Sequence, residues 1–341
     1  MCVRVTNMAG VDLRTYTFDY DLTFAVLLMN ADGTIYHRYG SRDHTSATSR
    51  LSMTSLVRVM KETLEDHAIY QRKPSPPPAL PPRTIEEIPP MARKLQKEKV
   101  NCFHCHMVND AERDHAREEK RWSRDAVIGQ WPLPERAGLT LDRDDQTLVR
   151  TVAPGSAAGA AGMKAGDRLV RLGGARVRTH ADVQWVLDRA PGGAASIPFE
   201  TLREGDMMLI GKLELEKGWK RVDELEFSWR PSVWPLDPKP GFGGRRLGKD
   251  DLERLGLPPD AFAVKIGYLV DWGSEAHTGR NARKAGLKEG DILLAAGGKS
   301  DFVTELHFQS WFRFTQKPGT TIDLEVLRDG KRRQVKLPVV E

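Results

Sequence analysis

The chain has little of what would tie it to a bilayer or a bridged scaffold. Among 341 residues there are three cysteines, too few for the disulfide framework that supports small secreted domains. No apolar run reaches about 18 residues, which excludes a membrane-spanning helix. The opening MCVRVTNMAGVDLRT has no basic stretch followed by an apolar one and a small-residue cleavage site, so this frame carries no legible export signal. Protease signatures are missing too: there is no GxSxG, no GNSGG-like turn and no HExxH. Ser156 follows Pro154-Gly155 and reads as a turn residue. The net charge is +5, but Lys and Arg are interspersed with Asp and Glu. Arg328-Asp329-Gly330-Lys331-Arg332-Arg333 reads as a hairpin turn and the mixed run 112–124 as a solvated face, so no basic surface for nucleic acid is expected.

What is present is ordinary globular composition, 40% hydrophobic and 29% charged, over a length that suits two or three domains. The C-terminal two thirds repeats itself. Ala161-Gly162-Met163-Lys164-Ala165-Gly166-Asp167-Arg168-Leu169-Val170 returns as Ala285-Gly286-Leu287-Lys288-Glu289-Gly290-Asp291-Ile292-Leu293-Leu294. Each copy runs on into a Gly-Gly turn, a Pro-Gly pair and an Arg-acid-Gly turn, at an offset near 125. Each reads as a small-residue helix stopped at glycine, a strand, a Gly-Gly hairpin turn, an amphipathic helix and a last β-hairpin. The amphipathic helices carry Val183, Val186 and Leu187, then Phe308, Trp311 and Phe312.

This order, with AGxxxGDxL at its centre, resembles the PDZ family, in particular the bacterial type that accompanies envelope proteases. The resemblance implies that a polypeptide C-terminus adds as a strand beside the amphipathic helix while backbone amides of a loop hold its carboxylate. Carried over, the loop is Ala137-Gly138-Leu139-Thr140 in the first copy and Phe242-Gly243-Gly244-Arg245 in the second. The groove-facing helix positions are His180, Val183, Gln184 and Leu187, then His307, Phe308, Trp311 and Phe312. Val183 and Leu187 serve equally well as core. The second copy departs from the pattern at 272–281, where a longer segment replaces Pro-Gly-Ser. Between the copies, 229–241 holds four prolines and two tryptophans, which reads as a stiff strap whose Trp229 and Trp234 pack on a PDZ surface.

Near the N-terminus, the apolar run 23–29, the turn Asn30-Ala31-Asp32-Gly33 and the alternating run 34–39 read as a strand hairpin. A helix follows from about Met53 to Tyr70, with Leu56, Val59, Met60, Leu64 and His67 on one side and prolines after it. Strand, turn, strand and terminal helix resemble the C-terminal half of thioredoxin-like proteins, without the proline expected at Asp21-Leu22-Thr23. Together with the segment below, the whole chain resembles a bacterial thioredoxin–PDZ family that includes selenoproteins. That resemblance implies a redox motif upstream of Met1, with a selenocysteine UGA codon read as a stop, and an envelope location for the full-length protein. Within this frame only Cys2 is a candidate remnant of such a motif.

Cys102-Phe103-His104-Cys105-His106 is a CxxCH sequence. Two thiols at this spacing suit thioether attachment of a c-type haem, with the adjacent His106 as an axial ligand. Met91, Met107, His115 and His67 are candidates for the sixth position. The same residues suit other chemistry: zinc or copper held by Cys102, Cys105 and His106 with His104 or His115, or a redox or structural Cys102–Cys105 pair. His37, His44 and His277 receive no role.

The expected fold is α+β, mainly β. A truncated thioredoxin-like segment (1–73) leads to a Pro-rich linker and helical CxxCH segment (74–130), a first PDZ domain (131–216), a connector (217–240) and a second PDZ domain (241–341). The expected function is docking of polypeptide C-termini with a redox link. The alternatives are a thiol or selenol oxidoreductase, or a scaffold with a structural metal. Neither nucleic-acid binding nor membrane insertion is expected.

Overall fold

A computed structural model describes residues 1–100 and 102–341. The chain is mixed helix and antiparallel sheet and divides into two compact units, Met1–Val222 and Asp223–Glu341. The connector expected at 217–240 therefore crosses the boundary between the units. Its larger part belongs to the second unit and carries the short helix α7 (Glu224–Phe227), and the strap expected to be extended at 229–241 makes a helical turn at Pro231–Val233.

The first unit opens with β1 (Val26–Met29) paired antiparallel to β2 (Ile35–Tyr39) around the Asp32-Gly33 turn. Helix α1 (Met53–Arg72) starts at Ser52, whose hydroxyl accepts from Ser55 N while the Ser55 side chain returns to the Ser52 amide. Its buried residues are Ser55, Val59, Thr63 and Asp66. Met60 and Leu64, expected inward, are exposed, with Met53 and Val57 beside them. The polar stripe turns inward because β2 offers it partners. Tyr39 Oη donates to Ser52 O at 2.8 Å, and His37 meets Asp66 at 2.8 Å.

Prolines from Pro74 onward separate α1 from α2 (Pro89–Lys97) and α3 (His106–Glu118). These helices share a small core of Ile85, Ile88, Met91, Phe103, Val108 and Ala111, closed by Met8 and Leu13 of the N-terminal segment. A short helix α4 (Arg124–Ile128), capped by Ser123, precedes the first repeat copy.

That copy comprises β3 (Leu139–Leu141), β4 (Val149–Val152), α5 (Ala157–Ala160), β5 (Arg168–Leu172), β6 (Ala175–Arg176), α6 (His180–Arg189), β7 (Ala195–Arg203) and β8 (Met207–Leu215). β3 pairs with β4, and the larger sheet runs β6-β5-β7-β8. Along β7 alternate residues point inward, and Ile197 and Phe199 join Leu139, Leu172 and Leu187 in one core.

The second copy follows α7 with β9 (Phe242–Arg246), α8 (Lys249–Arg254), β10 (Val264–Leu269), α9 (Ala276–Lys284), β11 (Ile292–Ala296), α10 (Glu305–Thr315), β12 (Thr321–Arg328) and β13 (Lys331–Pro338). Its sheet is continuous, β13-β12-β11-β10-β9. The hydrogen bonds repeat with the sequence. Val149 N donates to Asp167 O and Gly166 N to Val149 O; Ile266 N donates to Asp291 O and Gly290 N to Ile266 O.

An arginine clip is also duplicated. The Arg203 guanidinium grips Asp167 at 2.7 and 2.8 Å and donates to Gly162 O. Arg328 grips Asp291 at 2.6 Å through both bonds and donates to Gly286 O. Each aspartate is 1% exposed, so each clip neutralises a carboxylate buried at the AGxxxGD turn.

Candidate functional site

The docking reading rests on a glycine loop, the strand after it and the amphipathic helix opposite. In the first copy the loop turns at Gly138 with φ of +90°, and a Cβ there would lie 2.1 Å from the Ser156 side chain. Glycine is required on both counts, and Ser156 is a packing residue, as its turn position suggested. Gly138 O accepts from Ala153 N, and Gly241 O accepts the matching bond from Val270 N, both at 2.9 Å. Gly241 has φ of +80°, and a Cβ there would lie 2.3 Å from Thr278 O. Gly241 is thus the counterpart of Gly138. The expected second loop, Phe242-Gly243-Gly244-Arg245, is instead the edge strand β9. The repeat offset is 103 residues at these glycines and 124 at Asp167 and Asp291, because α8 and the 272–281 segment are inserted between them.

The helices align by their caps, Thr179 for α6 and Thr304 for α10. Glu305 and Gln309 therefore match His180 and Gln184, while His307 matches Asp182. His307 is not the groove counterpart of His180: it is buried, and its Nδ1 accepts from Val303 N at 3.1 Å. Val183, Leu187, Phe308 and Phe312 are at most 1% exposed and Trp311 is 9% exposed, so all five are core.

In the first copy the groove-facing polar residues already have partners within the unit. His180, expected at the groove surface, is 1% exposed, with Nε2 3.3 Å from Asp142 O and its amide on Gln146 Oε1. Burial drives its pKa down to about 3, so its ring is neutral. Gln184 Nε2 donates to Trp131 O at 2.9 Å, and Trp131 N donates to Asp188. The end of the face near His180 is covered from 50–55. Gln146 Nε2 donates to Arg50 O, Arg143 donates to Leu51 O, and Arg50 pairs with Glu135 just ahead of the loop, all at 2.7 Å.

In the second copy β9 closes one edge of the sheet, pairing with β10 alone among the described residues. Gln309 Nε2 donates to Phe242 O at 2.9 Å and to Glu305 at 2.8 Å. At the far end Arg246 bonds Val303 O, just before α10 begins. Arg245 is exposed and reaches Asp251 at 3.5 Å.

His37, which the sequence left without a role as a residue of an exposed strand, is 1% exposed and central to the first unit. Its Nδ1 and Nε2 each lie 2.8 Å from a carboxylate, Asp182 on α6 and Asp66 on α1. The Arg38 amide donates to Asp182 as well. Burial opposes charge on His37, but the bonds to Asp182 and Asp66 outweigh it and raise the pKa to about 9. A His–acid pair 145 residues apart in sequence left no local signal.

At the CxxCH segment Cys102 is exposed and Cys105 half-buried, and both are unpaired. Burial raises the Cys105 thiol, which lies 3.2 Å from Leu22 O. His106 opens α3, half-exposed, with its ring stacked 5.9 Å from that of His104. Cys102, Cys105 and His106 thus stand within five residues at the start of α3, as free thiols of unequal exposure beside a half-exposed imidazole. Met91 is 6% exposed inside the small core, and His115 sits 3.3 Å from Glu119. Among the described residues no group of three or more His, Cys, Asp or Glu stands close enough to hold a metal ion. No helix among them is long and apolar enough to cross a membrane.

No curated protein matches the chain. Solved structures with local similarity include the HtrA-type protease AlgW with decapeptide, at 17% identity over 43% of this chain and 44% of that one, with a TM-score of 0.25. The serine endoprotease from Yersinia pestis aligns at 18% identity over 43% and 46%, with a TM-score of 0.21. The chain thus spans less than half the length of these proteins. The sequence profile of the PDZ domain matches residues 148–197, from the start of β4 into β7. The segment containing the first AGxxxGD turn and helix α6 is a PDZ domain.

Proposed function

We propose that the chain is a peptide-docking protein whose two PDZ-type copies receive polypeptide C-termini by strand addition, at loops Ala137–Thr140 and Gly241–Gly243. The observation that carries this reading is the edge position of β9, whose groove side faces α10 with no strand beside it. In the first copy, Trp131 and the 50–55 segment engage the same face, so docking there must displace the chain's own bonds. The second copy is accordingly the primary receptor. Hydrogen–deuterium exchange with a pool of free-acid decapeptides tests this. Added peptide should slow exchange in 242–246 first and in 139–141 only at higher concentration. Unchanged exchange at both strands would refute docking.

A second element of the proposal is that 1–73 is a thioredoxin-like remnant and that Cys102, Cys105 and His106 form a c-type haem attachment site. Two thiols without a disulfide, Cys102 exposed and Cys105 half-buried, beside the half-exposed His106 favour it. Haem held there would supply one-electron transfer; this chain's residues would anchor it and ligate one face. Exported together with haem-attachment enzymes, the protein should show a Soret band that survives acid acetone extraction and is lost in Cys102→Ala/Cys105→Ala. Colourless protein with stoichiometric zinc would favour a structural metal instead.

A further inference from the structure

Arg313 is a buried charge of the second unit that makes no ion pair among the described residues. It lies on α10, is 3% exposed, and donates through Nη1 to the Gln309 carbonyl and to Gln309 Oε1, at 2.9 and 2.7 Å. Its Nε is buried with no partner. Among the described residues no carboxylate lies within ion-pair distance of it. The nearby acids are otherwise committed: Asp237 and Glu275 both hold Lys239, at 2.8 and 3.0 Å, and Glu305 accepts from Gln309. Taking a guanidinium out of water without a counter-ion is costly, and a well-placed anion recovers much of that cost.

Its place on the helix says which anion. Arg246, at the end of β9, bonds Val303 ahead of α10, and Gln309 bonds the carbonyl of Phe242 at the start of β9. Strand and helix therefore run in opposite directions, and the turn bearing Arg313 lies at the Gly241–Phe242 end. A chain added antiparallel to β9 finishes at that end with its terminal carboxylate. Trp234, 43% exposed, lays its ring 5.3 Å from the guanidinium, so an anion reaching Arg313 has to displace it. At the same helix position the first copy has Asp188, an anion already bonded to the Trp131 amide, so charge at this position is inverted between the copies.

We propose that Arg313 receives the terminal carboxylate of the docked peptide in the second copy, which makes that copy selective for free chain ends over internal segments. This rests on the strand-addition reading above. The test uses the full chain and fluorescent decapeptide pools ending in an apolar residue, as free acid or as C-terminal amide, read by anisotropy. The wild type should bind the acid at least about tenfold more tightly than the amide, since a charged hydrogen bond is at stake. Arg313→Gln should lose that preference, and Arg313→Lys should keep part of it. If Arg313→Gln discriminates as the wild type does, backbone amides alone hold the carboxylate and the proposal falls while docking stands. If the wild type binds neither pool, docking itself fails and the proposal with it. Should Arg313→Gln not fold, the wild-type Arg313 Nε–Hε resonance decides. It must shift with the acid pool and not with the amide; equal or absent shifts overturn the assignment.

Discussion

Arg328→Ala should destabilise the second unit by about 2–4 kcal/mol, and Arg203→Ala should destabilise the first in the same direction. In each clip the carboxylate is buried, and the arginine is the only side chain that meets it with two parallel bonds. Removing the guanidinium leaves Asp291 or Asp167 with little beyond a backbone amide, from Lys288 N or Lys164 N. The arginines are 18% and 25% exposed, and the range is discounted for the water that reaches them. Lysine at either position should recover only part of the loss, because it carries the charge without the planar fork. Urea unfolding measures the total, and exchange at the amides around 286–291 or 162–167 localises it. A loss under about 0.5 kcal/mol would mean the clip is ornamental.

Raising the pH from neutral through 9 should loosen β2 and α1 from helix α6. His37 is raised from 6.5 to about 9, so its contribution is complete below about 6.5 and fades as pH climbs through 9. The span corresponds to about 3 kcal/mol. On the acid side Asp66 works in reverse. Burial opposes its charge, but His37 and Arg178 bring its pKa down to about 2, so its contribution holds above about 4 and is lost as pH falls towards 2. His37→Ala should cost a similar few kcal/mol at neutral pH by leaving two buried carboxylates short of a donor, and should flatten the alkaline response. Limited proteolysis of the 41–52 loop between pH 7 and 9.5 reads both effects. A wild type equally resistant across that range would sink this account.

Much of the fold is legible from local chemistry. The AGxxxGD turns, the Gly-Gly hairpins and the capped amphipathic helices are each specified within about ten residues, and the repeat exposes them twice. The hairpin at Asp32-Gly33 and the helix from Met53 are equally local. The sequence misplaced what depends on insertions. The insertions shift Gly138 and Gly241, and with them the repeated Trp131-Pro132-Leu133 and Trp234-Pro235-Leu236, to an offset of 103 that the 125-residue repeat does not share. His180 and His307 looked equivalent because both are histidines near a helix start, but the threonine caps set the register.

Residue type and spacing alone were enough to specify two copies of a strand–turn–helix unit, because turns, caps and periodicity act over a few neighbours. Which faces are buried, and which charges lack partners, emerged only from the tertiary packing. α1 turns its polar stripe inward because Tyr39 and His37 wait there, Gln184 and His180 are covered by the first unit's own segments, and Arg313 is buried beside a strand edge without an acid. Desolvation and hydrogen bonding depend on everything packed around a group, and for these residues the surroundings come from far along the chain.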